Sequence, residues 1–176
     1  MRKRILSFMA ALSFSICILT VPKINAAASN EYKMVDGSYL TTDMSSSGTS
    51  SNDNKITKGT HLMTGECSIT NAGIERIYTY AATTANHEVD RLMVIIYVER
   101  YMEDVDAWGY VDGWVEEATN DYYVATSKSM EVEPGYYYRV HADHIVWEGN
   151  DPPEETFSYT NGIYIAPASS STTPST

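Results

Sequence analysis

The chain has 176 residues, a formal charge of -11 and only two cysteines. So acidic a surface repels phosphate backbones and anionic headgroups, which excludes nucleic acid and membranes as natural partners. With Cys17 inside an expected leader and Cys67 alone beyond it, no internal disulfide is expected. A domain of this size can bury enough apolar surface to do without one.

Residues 1–4 (MRKR) are basic, residues 5–21 are apolar and uncharged, and Ala26-Ala27-Ala28 offers a small-residue cleavage site. This is the pattern of a secretory signal peptide, expected over residues 1–28. An apolar run of about 17 residues stands at the lower limit for a retained membrane anchor, the competing reading. Removing the leader takes away four cations (Arg2, Lys3, Arg4, Lys23) and no acid, which moves the formal charge from -11 to -15. The expectation is an acidic, extracellular, monomeric protein with no membrane contact after cleavage.

Residues 29–57 follow, ending in TTDMSSSGTSSNDNKIT. With so little to bury, they are expected to form a flexible arm. Residues 168–176 (ASSSTTPST) have the same composition and are expected to be a disordered tail. Between them, residues 58–167 alternate short apolar runs with turn residues, the signature of a sandwich or barrel. Strands are expected at 59–64, 67–70, 74–84, 92–102, 108–117, 122–127 with 130–132, 136–146 and 157–165. The segment 81–90 (AATTANHEVD) has room for a helical turn, and Asn161-Gly162 signals a break in the last strand. The reading is an all-β chain: a single antiparallel sandwich of about seven to eight strands. Its centre is the hairpin 92–117, whose first arm, 92–98, is seven apolar residues in a row and reads as a strand covered on both faces.

Candidate chemistry is sparse. His87-Glu88-Val89-Asp90-Arg91 opens like a zinc-protease helix but has Arg91 where the second histidine belongs. Asp104, Asp106 and Gly109 imitate an EF-hand start, yet Trp108 and Val115 stand where oxygen ligands should. A looser calcium site of Glu103, Asp104 and Asp106 is a weak candidate beside the simpler reading of solvated charges at a hairpin tip. On a strand His141 and Asp143 share a face, with His144 opposite. No G-x-S-x-G elbow or S-x-x-K pair exists for nucleophilic catalysis. Cys67 reads as a small buried hydrophobe, with a reactive thiol as the alternative. No cofactor and no enzymatic activity are expected.

Tyrosine is the compositional oddity, 14 residues against three each of Phe and Trp. Cross-strand packing accounts for many tyrosines. Period-2 alternation also sets Trp108, Tyr110, Asp112 and Trp114 on one side of the hairpin's second arm, a candidate ligand-binding strip.

The segment VEPGYYYRV (132–140) resembles the entry to the F strand of fibronectin type III and other immunoglobulin-like sandwiches. The resemblance implies a tyrosine corner in which the Tyr138 ring packs into the core and its hydroxyl bonds to backbone a few residues upstream. More widely, the order HLMTG, SIT, TTANHEVDRLMVIIYVERY, AWGYVDGW and YYVATSKSMEVEPGYYYRVHA is similar to short secreted proteins of Gram-positive bacteria catalogued as a domain of unknown function. That similarity implies export and one compact domain, and it brings no activity. The functional expectation is a secreted interaction or surface-adhesion module with a protein or glycan partner. A carbohydrate-binding module using exposed Trp and Tyr is the alternative, and a small extracellular hydrolase a third.

Overall fold

The computed structural model describes residues 32–50 and 59–168. The expected signal peptide, residues 29–31 and 51–57 of the expected arm and residues 169–176 of the expected tail lie outside them. Every regular element among the described residues is a strand: β1 (Met34–Val35), β2 (Ser38–Thr41), β3 (Ser45–Thr49), β4 (Leu62–Asn71), β5 (Arg76–Met102), β6 (Ala107–Glu131), β7 (Tyr136–Trp147), β8 (Glu154–Tyr159) and β9 (Gly162–Ile165).

They form one curled sheet in the order β1-β2-β9-β7-β5-β4-β3, with β6 on the other side of β5 and β8 on β7. All pairings are antiparallel except β2 with β9, which is parallel. The expected all-β class holds, whereas the purely antiparallel sheet is corrected to a mixed one. The arm expected at 29–57 is likewise corrected, because residues 34–49 supply three strands. Burial does not explain β3, whose side chains are mostly exposed. It is held by backbone pairing to β4 and by Gly48, where a Cβ would overlap the Tyr159 carbonyl.

β5 spans 27 residues without a Gly or Pro to stop it, so the two strands expected at 74–84 and 92–102 are one. The helical turn expected within 81–90 is instead a break in register between Thr84 and Val89, with Asn86, His87 and Glu88 exposed. On the partner strand Asn120 takes φ 52, a left-handed conformation that Asn tolerates better than most residues. The first half of β5 pairs with β4 and the second half with β7, while β6 accompanies it throughout. The sheet thus doubles over at the break and buries one face. Leu92, Val94, Ile96 and Val98 are fully buried there with Ile69, Ile77, Val140, Ala142 and Ile163. Met93, Ile95 and Tyr97, on the other face, are only half-buried. The expectation that 92–98 is covered on both faces is therefore corrected, since no described element lies over the second face at this level.

Tyr138 is buried in the core beside Val140, and its hydroxyl donates to the Glu133 carbonyl at 2.8 Å. Gly135 between them has φ 91, the left-handed region where glycine carries no Cβ penalty.

Candidate functional site

The open face is a grid of side chains from β6, β5, β7 and β8. Residues directly opposite in a ladder point to the same side, so the register defines the rows. One row is Gly113, Tyr97, His141, Tyr159; the next is Val115, Ile95, Asp143, Phe157; the third is Glu117, Met93, Ile145, Glu155. Tyr110 lies over Gly113, its ring within 3.2 Å of where a Cβ would stand. Tyr110 is 69% exposed and Phe157 53%, so the ends of this platform project into solvent.

Aromatic contacts run across the strands. The Tyr97 and His141 rings are 5.5 Å apart, His141 meets Phe157 edge-on at 6.2 Å, and Phe157 stacks on Tyr159 at 6.1 Å. Asp143 is the carboxylate at the centre. The Tyr97 hydroxyl donates to its Oδ2 at 3.3 Å, and His141 Nε2 is 3.4 Å from its Oδ1. Desolvation, and then the Asp143 charge, push the Tyr97 hydroxyl above its ordinary pKa, so it remains a donor. Beside Asp143 a depression of about 320 Å³ is lined by Ile145, Glu155, Thr156 and Phe157. Chemically this is a sheet surface that offers ring faces for stacking and a fixed acceptor for hydroxyl or amine hydrogens.

One end of the same side is closed. Arg139 is buried, its guanidinium donating to Glu99, to the Asp36 carbonyl and carboxylate and to Ser38 Oγ, with Trp108 stacked on it at 4.6 Å. Strands β1 and β2 cover this end, where Val35, Leu40 and Tyr101 form a second small core.

The expected ligand strip does not survive as a unit. Val98 opposes Asp112 but Glu99 opposes Tyr110, so Val111 is an extra residue on β6. A bulge of this kind reverses the side-chain alternation beyond it. Trp108 and Tyr110 therefore lie on one side of the sheet, Asp112 and Trp114 on the other. Trp108 donates its indole N–H to the Val35 carbonyl at 2.9 Å and packs under the N-terminal strands. Trp114 bonds Thr126 Oγ1 at 2.9 Å and rests against the core, with Lys128 over its ring and bonded to Asp112. Only Tyr110 of the four belongs to the open platform. Phe157 and Tyr159 were not anticipated in it, although their spacing of two in ETFSYT was a signal for one face.

Of the weak calcium candidates, Glu103 and Asp104 border a cleft of about 650 Å³ that Lys33, Arg100 and Tyr136 also line. Asp106 is committed elsewhere: Lys33 Nζ and the Tyr101 hydroxyl both bond it, and the Lys33 bond first holds its carboxyl below the ordinary value. No group of three His, Cys, Asp or Glu among the described residues is placed to share a metal ion. Cys67 is 2% exposed, and burial pushes its thiol up to about 11, so it is an inert core residue. His144 lies opposite His141 and Asp143, inside the core.

No curated protein and no solved structure is significantly similar to the chain. A family model matches residues 26–163, a span that takes in the platform, the buried arginine and every residue of both cores but Ile165. The chain belongs to that family, a family of unknown function (DUF6147).

Proposed function

We propose that the protein is an exported, non-catalytic binding module that holds a carbohydrate chain on its open sheet face. The observation that carries this reading is the aromatic row from Tyr110 through Tyr97 and His141 to Phe157, left uncovered around a hydrogen-bonded Asp143. Aromatic side chains give large contact area at low entropic cost and keep a polar edge for hydrogen bonds. A pyranose matches both halves of that offer, with an apolar ring face to stack and hydroxyls to donate. The formal charge of -11 favours a neutral or amine-bearing polymer over an anionic one. An adhesive role at a cell surface follows from the same contact if the glycan belongs to a wall or a host. The doubling of the sheet supports reading the fold as a sandwich, and the Tyr138–Glu133 bond supports the immunoglobulin-like reading, from which the parallel β2–β9 pair departs.

A glycan array spanning neutral, amine-bearing and anionic polysaccharides tests the assignment. Binding is expected to neutral or amine-bearing chains, lost in Tyr110→Ala and in Phe157→Ala and kept in Trp114→Ala. Silence across all neutral and amine-bearing polymers would remove the carbohydrate reading.

A further inference from the structure

Two histidines far apart in sequence meet where β5 breaks register. His61 stands just before β4 and His87 lies within the break. His61 Nδ1 and His87 Nε2 are 3.0 Å apart, with the rings edge-on at 79°. The other nitrogen of each ring is already engaged. His61 Nε2 is 3.2 Å from the Asp151 carboxylate, and His87 Nδ1 is 2.7 Å from the Glu88 carbonyl.

Proton counting fixes what lies between the rings. A carboxylate and a carbonyl only accept, so keeping both outer contacts puts N–H on both outer nitrogens. A neutral imidazole has a single N–H, which leaves both inner nitrogens as bare lone pairs facing each other at 3.0 Å. Only a cation satisfies both: one extra proton shared by the pair, or a metal ion.

Three features favour the metal. Ligating histidines characteristically pass their second ring N–H to a carboxylate or a backbone carbonyl, and both rings do so. Imidazole nitrogens held at about 2.0–2.1 Å by one ion are separated by about 2.9 Å at the right angle of a tetragonal site and about 3.4 Å at the tetrahedral angle of zinc, values that bracket the 3.0 Å gap here. The surrounding charge is negative: Asp151 touches His61, and Glu154 accepts the backbone N–H groups of Thr60, His61 and Leu62, fixing the loop that carries His61. On the adjoining turn Glu148 accepts from the Asp90 N–H and Asp90 from the Gly149 N–H. The His61 side chain is 12% exposed, whereas His87 is open to solvent, which leaves an entry path on that side.

We propose that His61 and His87 form a site for one borderline divalent transition-metal ion of the zinc and copper class, the metals that imidazole suits. Water completes the coordination. On binding, one divalent ion bridges Nδ1 of His61 and Nε2 of His87, any proton held between them leaves to solvent, and both outer N–H groups stay in place. The ion ties the start of β4 to the break in β5 and stands apart from the aromatic platform.

The test uses the full chain without a histidine tag, titrated with zinc chloride and followed by calorimetry and by imidazole nitrogen NMR. One ion per chain is expected, with resonances of His61 Nδ1 and His87 Nε2 moving while those of His141 and His144 stay. Affinity is expected to fall more than about ten-fold in His61→Ala and in His87→Ala and to hold in His141→Ala. If His61→Ala fails to fold, the exposed His87→Ala decides alone. No saturable zinc binding, binding that survives the loss of His87, or shifts confined to other nitrogens would overturn the assignment.

Discussion

The Arg139 guanidinium lies 2.7 Å from the Glu99 carboxylate, and the two stand side by side on β7 and β5 beneath the N-terminal strands. The arginine side chain is 5% exposed. It also reaches the Asp36 carbonyl and Ser38, so it fastens β1 and β2 to the sheet.

Truncating Arg139 leaves the Glu99 side chain, 18% exposed, without its partner and frees the strands above. Arg139→Ala should cost about 3–5 kcal/mol, read as the shift in a urea-unfolding midpoint. Limited proteolysis should then cut first between residues 32 and 44. A cost under about 1 kcal/mol would show that the N-terminal strands hold without this group.

The Tyr138 hydroxyl is the donor for the Glu133 carbonyl at the turn leading into β7. Tyr138→Phe keeps the ring and removes only that bond. A loss of about 1–3 kcal/mol is expected, and an unchanged unfolding curve would show the corner to be packing alone.

His144 sits in the core between Thr83 Oγ1 at 2.9 Å and Ser158 Oγ at 2.8 Å. Burial, with a smaller contribution from His141, pushes its imidazole down to about 4. The unfolded chain takes up the proton near pH 6.5, before the folded protein does, so this contribution is complete above that pH. It is lost as pH falls from about 6.5 to 4, by about 3 kcal/mol. Urea titrations at pH 7.5, 5.5 and 4 should show a shallower pH slope in His144→Gln. Equal slopes in both proteins would assign the acid sensitivity to carboxylates instead.

Cys67 packs with its Sγ 3.9 Å from the Val140 carbonyl. In a Cys17→Ser background, a thiol reagent should label it at neutral pH only as fast as the protein unfolds. Labelling that keeps rising with reagent concentration would reveal an open route to the thiol.

What the chain discloses without coordinates is what neighbouring residues decide. The Pro134-Gly135 turn and Tyr138 three residues on specify the corner locally, and the alternation in 136–146 correctly separates Tyr138, Val140 and Ala142 from Arg139, His141 and Asp143. Trp108 and Trp114 were misplaced because the extra residue at Val111 is set by which β5 residues pair with β6. The Ser-rich β3 has no apolar pattern to read, since backbone bonds and a close approach at Gly48 hold it. The His61–His87 contact depends on the antiparallel pairing of β4 with β5, whose register sets Leu62 against Ala85 and brings together residues 26 apart. Arg139 gave no sign of burial, because Asp36 and Ser38, which cover it, belong to a segment expected to be a flexible arm.

A ladder shared by both halves also governs how the molecule comes apart. β5 and β6 continue past the break in register from one half of the sheet into the other, so neither half can detach as a separate piece. Thermal or mechanical loading should meet a single all-or-none transition with no half-open species. Motion within the folded protein is left to side chains and to the short strands at the margins.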